Sequence, residues 1–195
     1  MARELGVSQA PVREAILELA AMGLLEERPY SGSFVRKLTA EDIEDIYNTR
    51  AFLDEYAARR AALRVTADQL REMEALLVEM DRAENPHDFV EKDIAFHAMV
   101  VDAAGSPALK KVWDSLRLVE WTGLSVAVTR NTLPELAKQH WRIFRLLERH
   151  ADHTAGAYMF LHIKNFGDEL KQHYQEMNGN ILPLPGSAVE KERTT

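Results

Sequence analysis

The sequence predicts a mostly α-helical protein in two parts, a short helix-and-hairpin module followed by an antiparallel bundle of six helices. Three observations carry this expectation. Helix-starting residues recur from Thr39 to Asp152, and the segments between them repeat apolar residues at three- and four-residue intervals. Ahead of them, Gly6-Val7-Ser8 and Pro29-Tyr30-Ser31-Gly32 interrupt the chain too often for long helices.

Composition narrows the class. The chain has 195 residues, 46% of them hydrophobic, enough for one substantial core and a small second domain. It has no cysteine, so a disulfide framework and thiolate chemistry are excluded, and any metal must be held by nitrogen and oxygen. Charges interrupt every apolar run short of a membrane span and no signal segment opens the chain, so a cytoplasmic protein with no membrane partner is expected. The net charge of -7 argues against a chain that coats nucleic acid throughout. It does not exclude a small, locally basic module: residues 1–36 hold four arginines and five glutamates and are nearly neutral, so the negative balance lies mainly beyond them.

The first module is expected over residues 1–37. Two short helices are read at the start, broken by Gly6-Val7-Ser8; Ser8 is placed to cap the second, which has Pro11 in its first turn and buries Val12, Ala15, Ile16 and Leu19 until Gly23. Leu24-Leu25-Glu26-Glu27-Arg28 and Ser33-Phe34-Val35-Arg36 flank a Pro/Gly turn and read as a hairpin or wing. Helix, turn, helix and wing in this order resemble a winged helix-turn-helix, in which the second helix enters the major groove of DNA.

The bundle is expected over residues 38–175, with helices at 40–63, 67–83, 86–104, 107–130, 133–150 and 153–175. Thr39 with Asp42, Thr66 with Gln69, Asn85-Pro86 with Asp88, Ser106-Pro107, Thr132 with Glu135, and Asp152 supply the starts. The buried stripes are Ile43, Ile46, Tyr47, Leu53 and Ala57; Leu70, Met73, Leu77 and Met80; and Leu133, Leu136, Ile143, Phe144 and Leu147. Residues 176–195, with Asn-Gly-Asn and Pro-Leu-Pro-Gly, are expected to form a mobile tail.

Polar residues on these apolar stripes point to function. Asp93 and His97 lie one turn apart among Phe89, Val90, Val100 and Val101; His140 lies between Leu136 and Phe144, and His162 between Met159 and Phe166. A carboxylate and three imidazoles facing inward must be paired, hydrogen-bonded or metal-bound. Spacing alone leaves two readings, a hydrogen-bonded core network or a site for Zn²⁺, Ni²⁺, Mn²⁺ or Fe²⁺. His87, His150, His153 and His173 sit near helix ends and are expected to be solvated, and Trp113, Trp121 and Trp141 to be core or dimer contacts.

Glu4-Leu5-Gly6-Val7-Ser8-Gln9-Ala10-Pro11-Val12-Arg13-Glu14-Ala15-Ile16, Gly23-Leu24-Leu25 and Gly32-Ser33-Phe34-Val35 are similar to the DNA-binding domain of GntR-type bacterial repressors. The resemblance implies that Ser8, Gln9 and Arg13 contact operator DNA and that Gly32 lets the wing tip approach the minor groove. Gln9 departs from the arginine usual there. The family's winged domain also starts with a helix and turn that have no counterpart here, which implies an incomplete module from a shortened chain or a misplaced start codon.

The Thr39–Tyr174 region resembles the FCD effector domain of the FadR-type branch of the same family. Its metal-binding members carry an Asp-x-x-x-His pair and two further histidines, matched by Asp93, His97, His140 and His162. Arg50 matches an arginine of the first effector-domain helix and is expected to clamp a carboxylate effector or hold Asp93, the alternative being a surface pair with Asp54. The resemblance implies a homodimeric, ligand-responsive regulator that binds operator DNA, a divalent metal and a small organic or sugar acid. Two other accounts are a ligand-binding dimerisation module without DNA binding, and a metal-dependent enzyme with Glu91 or Glu120 as an added acid or base.

Overall fold

The structure is a computed structural model that describes residues 2, 6–21, 25–28, 32–35, 39–116 and 118–177. The chain divides into two compact units, Met1–Thr39 and Ala40–Thr195. The predicted tail from Asn178 onward, the Pro29-Tyr30-Ser31 turn and most of the predicted opening helix lie outside the described residues.

In the first unit, helix α1 (Gln9–Ala21) packs on a two-stranded antiparallel sheet of β1 (Leu25–Arg28) and β2 (Gly32–Val35). The register pairs Leu25 with Val35 and Arg28 with Gly32. Gly32 has φ 93°, a left-handed conformation that residues with a Cβ rarely adopt. The apolar stripe of α1 is narrower than the sequence suggests. Val12 and Ile16 are half-buried but Ala15 is exposed.

The second unit is a bundle of seven helices: α2 (Ala40–Ala62), α3 (Ala67–Met80), α4 (Pro86–Ala103), α5 (Pro107–Ser115), α6 (Leu118–Val128), α7 (Leu133–Glu148) and α8 (Asp152–Glu176). With α1 the described residues contain eight helices. The expected six-helix count therefore needs correction. The single helix predicted over 107–130 is two, broken after Ser115, where the Ser115 hydroxyl donates to the Val112 carbonyl and the Leu116 N–H turns back to Trp113. Both bonds tighten the last turn of α5 and draw the backbone out of the α ladder.

Most starts follow the predicted caps. Thr66 and Gln69 form a capping box, Asn85 accepts from the Asp88 N–H at 3.0 Å ahead of Pro86, and the Glu135 carboxylate accepts from the Thr132 N–H at 2.8 Å. Asp152 is not a cap. It is the first residue of α8, Ala151 holds the cap position without a side-chain bond, and the carboxylate favours the helix start only through its charge.

The longest helices, α2 and α8, form the principal packing pair. They approach closely because α2 buries Ala51, Ala57, Ala58, Ala61 and Ala62 and α8 buries Ala155, Gly156 and Gly167. A Cβ on Gly167 would stand 2.4 Å from Tyr47 Cβ. The core around them is built from Ile43, Met73, Leu77, Phe89, Phe96, Leu136, Ile143, Leu147, Met159 and Ile163. On α2 the predicted stripe shifts. Ile46 and Leu53 are only half-buried, while Arg50 and Asp54 take central positions at 4% and 1% exposure. Among the described residues no helix is long and apolar enough to cross a membrane.

Candidate metal centre

Helix α4 carries Asp93 and His97 one turn apart on the face it buries, with Phe89, Val90, Val100 and Val101 also buried. His140 comes from the buried stripe of α7 and His162 from that of α8. One ligand-type atom from each of the four residues lies within 4.8 Å of the others, and all four residues are buried. The rings of His140 and His162 meet edge to face at 4.8 Å, and those of His97 and His162 stack at 5.5 Å. Phe89, Phe96 and Phe166 border the group and give it apolar walls.

The hydrogen bonds at Nδ1 determine what the histidines present to one another. His140 Nδ1 lies 2.9 Å from the Leu136 carbonyl, His97 Nδ1 3.0 Å from Asp54 Oδ1, and His162 Nδ1 2.9 Å from Gln139 Oε1. Each partner is an acceptor, so each Nδ1 carries the proton and donates it. In the neutral ring the Nε2 lone pair is then free. His97 Nε2 and His140 Nε2 are both buried without a hydrogen-bond partner. His140 Nε2 nevertheless lies 2.9 Å from Asp93 Oδ1, a hydrogen-bond distance without hydrogen-bond geometry. Set 2.9 Å apart in a dry interior, this ring nitrogen and carboxylate oxygen need a proton or a metal cation between them.

Burial works to raise the Asp93 pKa, but His140, by hydrogen bond and by charge, and then the charges of His97 and Arg50 outweigh it and hold the carboxyl well below the usual carboxylate range. Burial, reinforced by His140 and His97, holds His162 well below the usual histidine value. An ionised carboxylate and a neutral imidazole are the states a metal takes. Ligands sharing one first-row ion at about 2.1 Å lie roughly 4.2 Å apart when opposite, so the widest pair here must close by about 0.6 Å. That adjustment is within side-chain rotation, and three nitrogens with one oxygen suit a divalent first-row cation. The Asp/His cluster could therefore coordinate a metal.

A row of polar bonds on α2 adjoins this group. Tyr47 donates its hydroxyl to the Trp121 carbonyl at 2.9 Å and also meets Ser125 Oγ. Arg50 Nη1 donates to Thr122 Oγ1 at 3.2 Å, while its Nε, 3.7 Å from Asp54 Oδ2, has no hydrogen-bond partner. Asp54 Oδ2 accepts from the Trp113 indole at 3.2 Å. Burial pushes the Tyr47 phenol up to about 12, so it stays a donor. The Arg50–Asp54 pair expected as a surface alternative does exist, but it is buried. Sequence reasoning missed Asp54 as the partner of His97 and Gln139 as the partner of His162. Asp54 carried a signal, since it continues the Tyr47–Arg50 stripe by one turn; Gln139 carried none.

The remaining candidates are dispersed. Ser8, Gln9, Arg13 and Gly32 are exposed on the first unit, where Gln9 and Arg13 border a groove of about 410 Å³ with Val12, Ile16 and Leu17. Glu91 is exposed, and the Glu120 side chain lies outside the described residues. His87, His150 and His153 are exposed as expected, and His150 Nδ1 donates to the Ala62 carbonyl at 2.7 Å, capping α2. His173 Nε2 is buried without a partner. Trp113 and Trp121 are buried, and Trp141 is half-buried, donating to Asp81 at 2.8 Å.

Residues 45–165, more than half the chain, match the model of the FCD domain. The chain belongs to the FCD-domain family of GntR-type transcriptional regulators. The relatives bear this out. The probable D-xylose utilization operon transcriptional repressor of Paenarthrobacter nicotinovorans is 35% identical over 76% of this chain, which spans 66% of that protein's length. The transcriptional repressor RspR of Escherichia coli is 29% identical over 87% of this chain and 76% of its own. The solved structure of E. coli McbR/YncC shares the fold, with a TM-score of 0.73 at 21% identity over 89% of this chain and 84% of that one. Both sequence relatives are named as transcriptional repressors.

Proposed function

We propose that the chain is an effector-responsive DNA-binding regulator whose FCD domain holds a divalent first-row metal on Asp93, His97, His140 and His162. The observation that carries this reading is the pair of buried, partnerless Nε2 atoms on His97 and His140, one of them set against the Asp93 carboxylate. A bound cation supplies a positive centre with open positions for an anionic ligand. Arg50 adds a planar donor fork suited to a carboxylate. The effector class is a small organic or sugar acid, whose carboxylate suits both the cation and the Arg50 fork.

In the first unit Ser8, Gln9 and Arg13 at the start of α1 contact operator DNA, and Gly32 brings the hairpin to the minor groove. A homodimer reads two half-sites, and the acid regulates by binding more tightly to one arrangement of the dimer than to the other. Residues 1–37 form the DNA-binding domain and residues 38–175 the sensor. The test combines two measurements on the same preparation. Metal analysis after EDTA treatment and resupply with Zn²⁺, Ni²⁺ or Mn²⁺ should give one ion per chain. Titration of operator DNA should then change with added acid only in the metal-loaded protein. Retention of none of the three ions removes the sensor reading.

A further inference from the structure

We infer that Asp54 is the positioning residue of the metal centre, the group that presents His97 Nε2 to the cation. The inference rests on the metal-binding reading above. Its basis is the division of labour between the two carboxylate oxygens. Oδ1 lies 3.0 Å from His97 Nδ1 and holds the ring proton there, so the lone pair resides on Nε2. Oδ2 takes the Trp113 indole N–H at 3.2 Å and faces Arg50 Nε at 3.7 Å, so the carboxylate is anchored on its far side and cannot rotate away. Asp54 is 1% exposed and Trp113 5%, so water offers no substitute acceptor.

The other two histidines are held differently. The backbone carbonyl of Leu136 and the neutral amide of Gln139 serve His140 and His162. Of the three, only His97 has a carboxylate at its Nδ1 among the described residues, the kind of partner that fixes a ligating histidine's tautomer and ring orientation. Asp54 touches no metal in this arrangement. It acts through His97, and Trp113 acts through Asp54.

Asparagine at position 54 cannot reproduce this. Its amide has one acceptor where two donors converge: if the oxygen faces His97, the NH₂ faces the indole N–H. If the NH₂ faces His97, the ring must carry its proton on Nε2, the wrong tautomer for a ligand. Asp54→Asn is therefore expected to weaken Zn²⁺ binding roughly 10–100-fold in competition with a chromophoric chelator. Trp113→Phe keeps Oδ1 in place and is expected to weaken it by less than the roughly tenfold lower end of such effects. In the metal-free wild type, ¹⁵N shifts of the His97 ring should show the proton on Nδ1.

The outcomes separate cleanly. Wild-type protein that takes up Zn²⁺ while Asp54→Asn binds it equally well overturns the assignment of Asp54. So does a His97 ring protonated on Nε2 in the metal-free wild type, which decides the matter even where Asp54→Asn does not fold. A melting temperature lowered equally with and without Zn²⁺, at unchanged affinity, assigns Asp54 a purely structural role and also overturns it. Wild-type protein that binds none of Zn²⁺, Ni²⁺ and Mn²⁺ overturns the metal reading on which the inference stands.

Discussion

Replacing Gly167 by alanine sets two known effects against each other, and the structure decides the sign. Alanine is the better helix former by about 1 kcal/mol, so on propensity alone the change in the middle of α8 stabilises the protein. The added Cβ, however, would stand 2.4 Å from Tyr47 Cβ and 2.5 Å from its Cγ. Ordinary carbon contacts are roughly 3.5–4.0 Å, so α2 and α8 must separate by about 1 Å at their closest approach. Tyr47 cannot yield by rotating its ring, because the clash is at the root of the side chain. Overpacking of this kind costs about 1–3 kcal/mol. Displacing Tyr47 also weakens its bonds to the Trp121 carbonyl and Ser125, about 1 kcal/mol each. The net expectation is a loss of about 1–3 kcal/mol, read as a fall of roughly 3–9 °C in melting temperature. Gly123→Ala in α6 is the control, since nothing lies within 4 Å of its added Cβ. It is expected to stabilise by about 0.5–1 kcal/mol. A Gly167→Ala protein that melts at or above the wild-type temperature refutes the close packing of α2 on α8.

Four further outcomes are expected. His140→Ala removes one proposed ligand and leaves Asp93 facing a void, so Zn²⁺ uptake measured by elemental analysis should fall below one ion per two chains at equimolar metal while the helical circular dichroism persists. In EDTA-treated protein, the depressed pKa of His162 means that the unfolded state binds its proton first as pH falls. Stability measured by urea midpoint should therefore be level above about pH 6.5 and decline below it, and a midpoint that rises on acidification from pH 7 to 5 contradicts the burial of a neutral His162. Tyr47→Phe leaves Ser125 and the Trp121 carbonyl without their buried partner, with a loss of about 1–2 kcal/mol in the same assay and no change in Zn²⁺ affinity. Arg13→Ala should weaken DNA binding on all sequences alike and lower the salt dependence by about one counterion if the contact is to phosphate, whereas loss confined to the operator means a base contact.

The helices of the second unit were legible because their starts are chemical statements. Thr66 with Gln69 and Thr132 with Glu135 can be read directly, and each forms its capping pair in the fold. The break between α5 and α6 was not legible, since it rests on a Ser115 hydroxyl turning back to its own helix rather than on a glycine or proline. Asp93, His97, His140 and His162 could be singled out because charged or imidazole groups are conspicuous on apolar stripes. That they converge is a property of three helices packing together, which no spacing along one helix contains. The partners at Nδ1 were hidden for a different reason: Gln139 is an ordinary half-buried polar residue, and Leu136 contributes only its backbone.

The bonds along α2 run in reverse order on the facing segment, with Tyr47 meeting Ser125, Arg50 meeting Thr122 and Asp54 meeting Trp113. A slide of α6 by one turn, about 5.4 Å, would unseat the first two contacts together, and the α5–α6 break keeps Trp113 from following. Gradual creep along this seam is therefore disfavoured at every intermediate setting. Travel between the two helices, when it occurs, should be a discrete click from one notch to the next.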